Sequence, residues 1–375
     1  MSAPGHVAAG TWSGGRFMHF GEPLDDDRLV ALLRPGDGID TVVSADAYGA
    51  GEADALLGRA LAGVDRDAYS LIGAVGHDFY EGEREGAKGY PRFTDPRLRD
   101  GGEYGSYLRM AAEQSLERLG VDAFDVLLLH NPDRIGYTSA AVWEGMAALR
   151  DAGLTRSIGV APGPANGFTL DVIDCLERFG ALIDWAMVIL NPLEPWPGEL
   201  VLPAAERNGV SVLARVVDYG GLLWGDVRTG HEFAKFDHRG FRPAGWVEAG
   251  LTRMDALAPI AARHGLTPLQ LAVQWDLAHP AVACAAPTLI QEPGSDRSIE
   301  DKRAELAATP RAVALSAEEV AEIRAIGDNT GSMALKGATP AYEGDAVADR
   351  WPLDAELRAL AARWGIDPER DLAKR

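Results

Sequence analysis

The sequence predicts an α/β protein: a (β/α)8 TIM barrel with long βα loops and a C-terminal extension. Three observations lead there. Short β-branched or apolar runs alternate with amphipathic stretches eight times along 375 residues, the pattern of parallel strands joined by helical crossovers. The length suits one large domain or two ordinary ones. No G-x-G-x-x-G follows any of the runs, which weakens the doubly wound sheet as the rival architecture.

The elements follow in chain order. A first strand is expected near "HVAAG". "IDTVVSA" is the second, followed by a helix near Glu52 to Leu61. "AYSLIGAVG" is the third, then a long polar loop and a helix around Gly105 to Leu119. "FDVLLLH" leads to a helix near Ala140 to Ala152, and "TRSIGVA" to one near Thr169 to Phe179. "IDWAMVIL" precedes a helix near Leu200 to Asn208. "VSVLARV" opens a long loop, Asp218 to Gly250, before helical stretches at Leu251 to His264 and Pro268 to Ala278. "AVACAAP" is the last strand, and Ser316 to Ile326 the last barrel helix. β-branched runs bounded by turn residues suit buried strands, and 3.6-residue apolar spacing suits helices with one face on the barrel. Residues 1–327 are read as the barrel. Residues 328–375, with Trp351 and the helix-like "DAELRALAARWG", are read as an extension docking on the barrel or on a partner.

Composition narrows the partners. Lys and Arg number 36 against 56 Asp and Glu, a net charge of −20, which repels nucleic acid phosphates and anionic lipid. A small molecule is the expected partner, and a homo-oligomer is compatible with the chain. Cys175 and Cys284 lie in apolar segments and read as reduced core residues. No signal-peptide pattern and no apolar run of membrane-spanning length stands out, so a cytoplasmic protein is expected. His231, Asp237 and His238 lack tight ligand spacing, and no metal is expected.

Four segments, in order, resemble the aldo-keto reductase superfamily: "GIDTVVSADAYGAGEADALLGRAL", "SLERLGVDAFDVLLLHNPD", "LRDAGLTRSIGVA" and "ELVLPAAERNGVSVLAR". The resemblance implies a (β/α)8 barrel that reduces carbonyls with NADPH through an Asp, Tyr, Lys and His set. Carried over position by position, Tyr48 matches the tyrosine acid and His130 the histidine. The aspartate falls on Val43 and the lysine on Ala74. The family's nicotinamide contacts fall on Ala161, Pro162 and Met187, which offer no side-chain donor. Its phosphate stretch reads "APTLIQEPGSDRSIEDKRAEL", of mixed charge.

These losses lead to the expectation of an enzyme on this fold that needs no cofactor, using proton chemistry alone for β-elimination, dehydration or isomerisation of a small polar, sugar-like or aromatic, carbonyl or hydroxyl compound. The catalytic residues expected are Tyr48, His130, His77 and Asp78, with Asp78 orienting His77 as a general base or, alternatively, capping the turn after the third strand. The substrate-binding residues expected are Trp12, Asp46, Trp196, Arg215, Asp218, Tyr219 and Trp224, strand-end polar groups and rings suited to stacking. Arg239 and Arg242 are expected on a lid, binding substrate or the neighbouring loop. Two alternatives stand beside it. One is an NAD(P)-dependent oxidoreductase with a rebuilt cofactor site, in which Asp46 or His77 serves near Tyr48 with NADPH as cofactor. The other is a non-catalytic barrel subunit.

Overall fold

A computed structural model describes residues 3–86, 89–163, 168–331 and 342–372. The strands are β1 (Ala9–Gly10), β2 (Thr41–Val43), β3 (Ser70–Val75), β4 (Phe124–His130), β5 (Thr155–Ala161), β6 (Trp185–Ile189), β7 (Ser211–Arg215) and β8 (Val282–Ala286). They pair in sequence order, all parallel. Backbone bonds from Ala8 N to Ala285 O and from Ala285 N to His6 O close the ring. This is a (β/α)8 barrel.

The helices are α1 (Asp26–Leu33), α2 (Glu52–Leu61), α3 (Tyr104–Leu119), α4 (Arg134–Thr138), α5 (Ala140–Asp151), α6 (Thr169–Phe179), α7 (Leu202–Arg207), α8 (Trp246–Arg263), α9 (Pro268–Leu277), α10 (Ile299–Ala307), α11 (Ala317–Ile326), α12 (Ala355–Arg363) and α13 (Pro368–Asp371). Sequence reading gives α2 and α6 at these bounds and passes over α1 and α10. Both carry N-caps, Asp25 and Ser298, the latter in a reciprocal capping box with Asp301. Helix α8 starts at Trp246, before the expected Leu251, because Gly245 at φ 79° supplies the left-handed turn ahead of it. Among the described residues no helix is long and apolar enough to cross a membrane.

Two apolar layers follow from the period of two along each strand. Ala8, Val43, Ala45, Ile72, Ala74, Val126, Leu128, Ala161, Trp185, Met187, Leu213, Cys284 and Ala286 form a cluster inside the ring, with Trp12 and Tyr48 packed against it. The alternate strand residues face the helices in the larger outer core. One parity matters for the site. His130 lies two residues beyond Leu128, and Arg215 two beyond Leu213, so both point inward at the C-terminal mouth.

Residues 342–372 lie on the barrel. Trp351 packs against Phe168 and Tyr137 with ring centroids 4.9 and 6.1 Å apart, and its indole N–H donates to Asp171 at 3.0 Å. Arg134–Asp354, Arg178–Glu356 and Arg363–Glu177 pairs extend this seam. Burial raises the Asp171 carboxyl to about 7, with Arg134 opposing the shift and Asp174 and Asp354 adding to it. A carboxyl held above its unfolded value favours folding most at low pH. That contribution is lost as pH rises from the ordinary carboxylate range to about 7. The Asp171→Asn variant should therefore gain on the wild type in melting temperature between about pH 5 and about pH 8. A difference that stays flat with pH would remove Asp171 as the titrating group.

Candidate active site

The chain delivers Tyr48 to the mouth through a tight turn after β2. Gly49, Ala50 and Gly51 all take positive φ, at 59°, 51° and 95°. At Gly49 a Cβ would press on the Phe17 ring at 3.0 Å and on the Cβ of Glu52 at 2.9 Å, so glycine is required there twice over. Positive φ recurs just past the other two inward residues: Asn131 at 48° follows His130, and Val216 at 58° follows Arg215. For a β-branched residue this conformation is strained, of the kind that clusters at functional sites. The Val216 carbonyl is held by the Asn191 side-chain amide at 3.0 Å.

Tyr48 and His130 meet edge to face, ring centroids 5.7 Å apart. Burial raises the Tyr48 pKa, with Arg215 opposing, so the phenol keeps its proton at neutral pH. His130 is pulled well below the usual imidazole range by burial first, then by the charges of His77, Arg92 and Arg215, so it is neutral. Its Nδ1 is buried without a hydrogen-bond partner. The floor beneath is apolar: Val43 and Ala74 stand 1% and 5% exposed where a carboxylate and an ammonium would complete the family tetrad. Trp12 leans over Gly10, where a Cβ would strike the indole at 2.4 Å.

His77 reaches the same mouth, its ring 5.1 Å from that of His130. Both of its nitrogens are engaged, Nδ1 on the Tyr90 carbonyl and Nε2 on the Asn131 amide, each at 3.1 Å. Burial, then the Arg92 cation, pulls its pKa down to about 3. A base needs a free lone pair; His77 instead holds the wall behind His130. Asp78 does not orient it. That carboxylate is fully buried and accepts from Tyr80 N, Glu81 N and the Arg99 guanidinium, tying down the loop after β3. The expected His77–Asp78 dyad is corrected on this geometry.

Five other expected substrate residues are also placed elsewhere. Asp46 turns behind β2, fully buried, with Asp54 and Arg118 as its charged neighbours. Burial, then Asp54, raises its pKa well above the carboxylate range, so it is neither a charge beside Tyr48 nor a contact for substrate. Asp218 is buried between loops, its carboxylate accepting from Gly221 N and Thr288 N at 2.7 Å each. Tyr219, at φ 50°, packs on Trp246 beneath Arg242. The Trp224 indole donates to the Thr288 carbonyl at 2.8 Å. Trp196 lies buried under the C-terminal segment, donating to the Asp371 carbonyl. Asp218, Tyr219, Trp224 and Trp196 each find a partner inside the protein, and Asp46 is buried with both carboxyl oxygens unpartnered. Of the lid residues, Arg239 binds Asp237 and Glu292, and Arg242 lies over Tyr219 and Trp246.

The mouth therefore brings together Tyr48, His130, Arg215 and Trp12, with His77 behind. Sequence reading passed over Arg92 and Asn131. Arg92, in the long loop after β3, donates to the Asn131 carbonyl and to Asp349 of the C-terminal segment. Nothing local in "YPRFTD" signals these distant contacts.

Comparison with known proteins follows the same lines. The sequence model described as the aldo/keto reductase family matches residues 7–328. The aldo-keto reductase YhdN of Bacillus subtilis (strain 168) is 26% identical over 288 residues, covering 74% of this chain and 79% of that protein. The structure of a glycerol dehydrogenase from Gluconobacter oxydans superposes with a TM-score of 0.66 at 26% identity, covering 86% of this chain and 90% of the other. An aldo/keto reductase from Klebsiella pneumoniae in complex with NADP and acetate superposes with a TM-score of 0.56 at 24% identity, covering 87% and 92%. The expectation of a barrel without cofactor is overturned here, since a structural neighbour of this fold carries NADP. Lost side-chain contacts at the nicotinamide end were too narrow a basis for it. With the match spanning every barrel strand, the chain belongs to the aldo/keto reductase family.

Proposed function

We propose that the protein is a nicotinamide-dependent oxidoreductase interconverting a carbonyl compound and its alcohol, with cofactor contacts rebuilt relative to the family pattern. The observation that carries this reading is the Tyr48–His130 pair, two neutral rings in edge contact over an apolar floor at the barrel mouth. In the reducing direction Tyr48 donates its phenolic proton to the carbonyl oxygen, and in the oxidising direction the phenolate takes it back. His130, uncharged, offers a hydrogen bond that orients the same oxygen. The apolar floor of Val43, Ala74 and Met187 excludes water from the reacting carbon. A bound nicotinamide supplies or accepts the hydride.

The donor set for that cofactor differs at its two ends. Around Ala161 and Met187 the wall is apolar and suits a ring face. Beside α10, Arg28 of α1 and Arg297 are partly exposed, paired with Glu300 and Glu305. Lys302, by contrast, is fully buried on Asp226 and the Ile290 carbonyl. Arg28 and Arg297 would hold the phosphates, exchanging carboxylate for phosphate oxygens. Fluorescence titration with NADPH and NADH tests this reading. One of the two should bind at micromolar concentration, and Arg297→Ala should weaken it about tenfold, roughly the loss of one charge-assisted hydrogen bond. Absence of binding up to millimolar cofactor would defeat the proposal.

A further inference from the structure

Among the described residues, Arg215 is the one at the mouth whose charge the fold leaves uncancelled. Its Nη2 donates to two neutral groups, the carbonyls of Pro162 at 3.0 Å and Gly163 at 2.8 Å. Its Nε is buried without a partner. Among the described residues no carboxylate forms an ion pair with it, and the groups whose charge acts on it are the phenols Tyr48 and Tyr137. Strand parity points the side chain inward above Leu213, and its charge acts on both Tyr48 and His130.

The two carbonyl acceptors fix the guanidinium through Nη2 without neutralising its charge. A guanidinium held by neutral dipoles in a chain of net charge −20 is a local positive point in a negative field. A guanidinium cation attracts a carboxylate more strongly than it does a neutral oxygen. The strained Val216 just past it, pinned by Asn191, keeps the strand end from relaxing and carrying the cation away.

We propose that Arg215 is a specificity residue that selects substrates bearing a carboxylate, so that the carbonyl compound reduced at Tyr48 is an oxo acid rather than a neutral aldehyde or ketone. This rests on the oxidoreductase reading above, and the test separates the two. Matched probes are 4-oxobutanoate against butanal and 4-carboxybenzaldehyde against benzaldehyde, each assayed with NADPH and with NADH. In the wild type the anionic member of each pair should have the higher kcat/KM, on the order of a hundredfold, carried by KM. In Arg215→Met that preference should collapse toward one, and Arg215→Lys should restore part of it. Equal turnover of anionic and neutral probes by the wild type, or a preference untouched in Arg215→Met, would overturn the proposal. If no probe is turned over, the oxidoreductase reading fails on its own. Quenching of tryptophan fluorescence by benzoate then decides the anion site: saturable binding lost in Arg215→Met supports it, and binding equal in both proteins or absent from the wild type overturns it. Thermal melts of both variants separate loss of the fold from loss of the cation.

Discussion

Replacing Tyr48 with phenylalanine will reduce kcat by roughly 10²–10⁴-fold, the usual worth of a positioned proton donor. The change removes one hydroxyl and leaves the ring against His130, so the packing of the mouth survives. Cofactor affinity should be little altered, because no phosphate or ring contact is assigned to the phenol. Burial raises the Tyr48 pKa, so the wild type should keep its donor through neutral pH and lose reducing activity only on the alkaline side. Steady-state kinetics across pH, alongside a thermal melt of the variant, checks both parts. Wild-type turnover by Tyr48→Phe would leave the proton step without a donor.

The second large effect is on stability. Asp78→Ala should cost roughly 3–5 kcal/mol, the range for breaking a buried ion pair and stranding one partner. Asp78 is fully buried and Arg99 is 5% exposed. The carboxylate also accepts two backbone N–H groups. Glu81, largely exposed, still reaches Arg99 at 2.8 Å and should keep the loss toward the lower end. Urea unfolding measures it directly. If Asp78 served a His77 base instead, its removal would spare stability and abolish turnover, the reverse pattern.

These two residues show what was legible in the sequence and what was not. Barrel strands declare themselves because each buries both faces, giving runs such as "FDVLLLH" that no exposed segment tolerates. Tyr48, His130 and Arg215 were legible as strand-end residues, and parity from Leu128 and Leu213 would have confirmed that two of them face inward. Asp78, Asp218 and Tyr219 sit just past strand ends too. A polar side chain there serves the mouth or pins its own loop, and only the partner tells which. Asp218 meets Thr288 across 70 positions of sequence, a contact no local pattern encodes. The expectation of no cofactor failed for a related reason. Val43, Ala74, Ala161, Pro162 and Met187 report on one end of a long ligand, and dinucleotides are also held by backbone groups and cations away from that end.

The most direct test of the account is a single-turnover experiment. Purified protein is mixed with one equivalent of NADPH or NADH and an excess of 4-oxobutanoate, and reduced-nicotinamide absorbance and product are followed together. The account predicts loss of one reduced nicotinamide per alcohol formed, slowed in Tyr48→Phe. Conversion of the oxo acid to another product with the nicotinamide absorbance unchanged would contradict it.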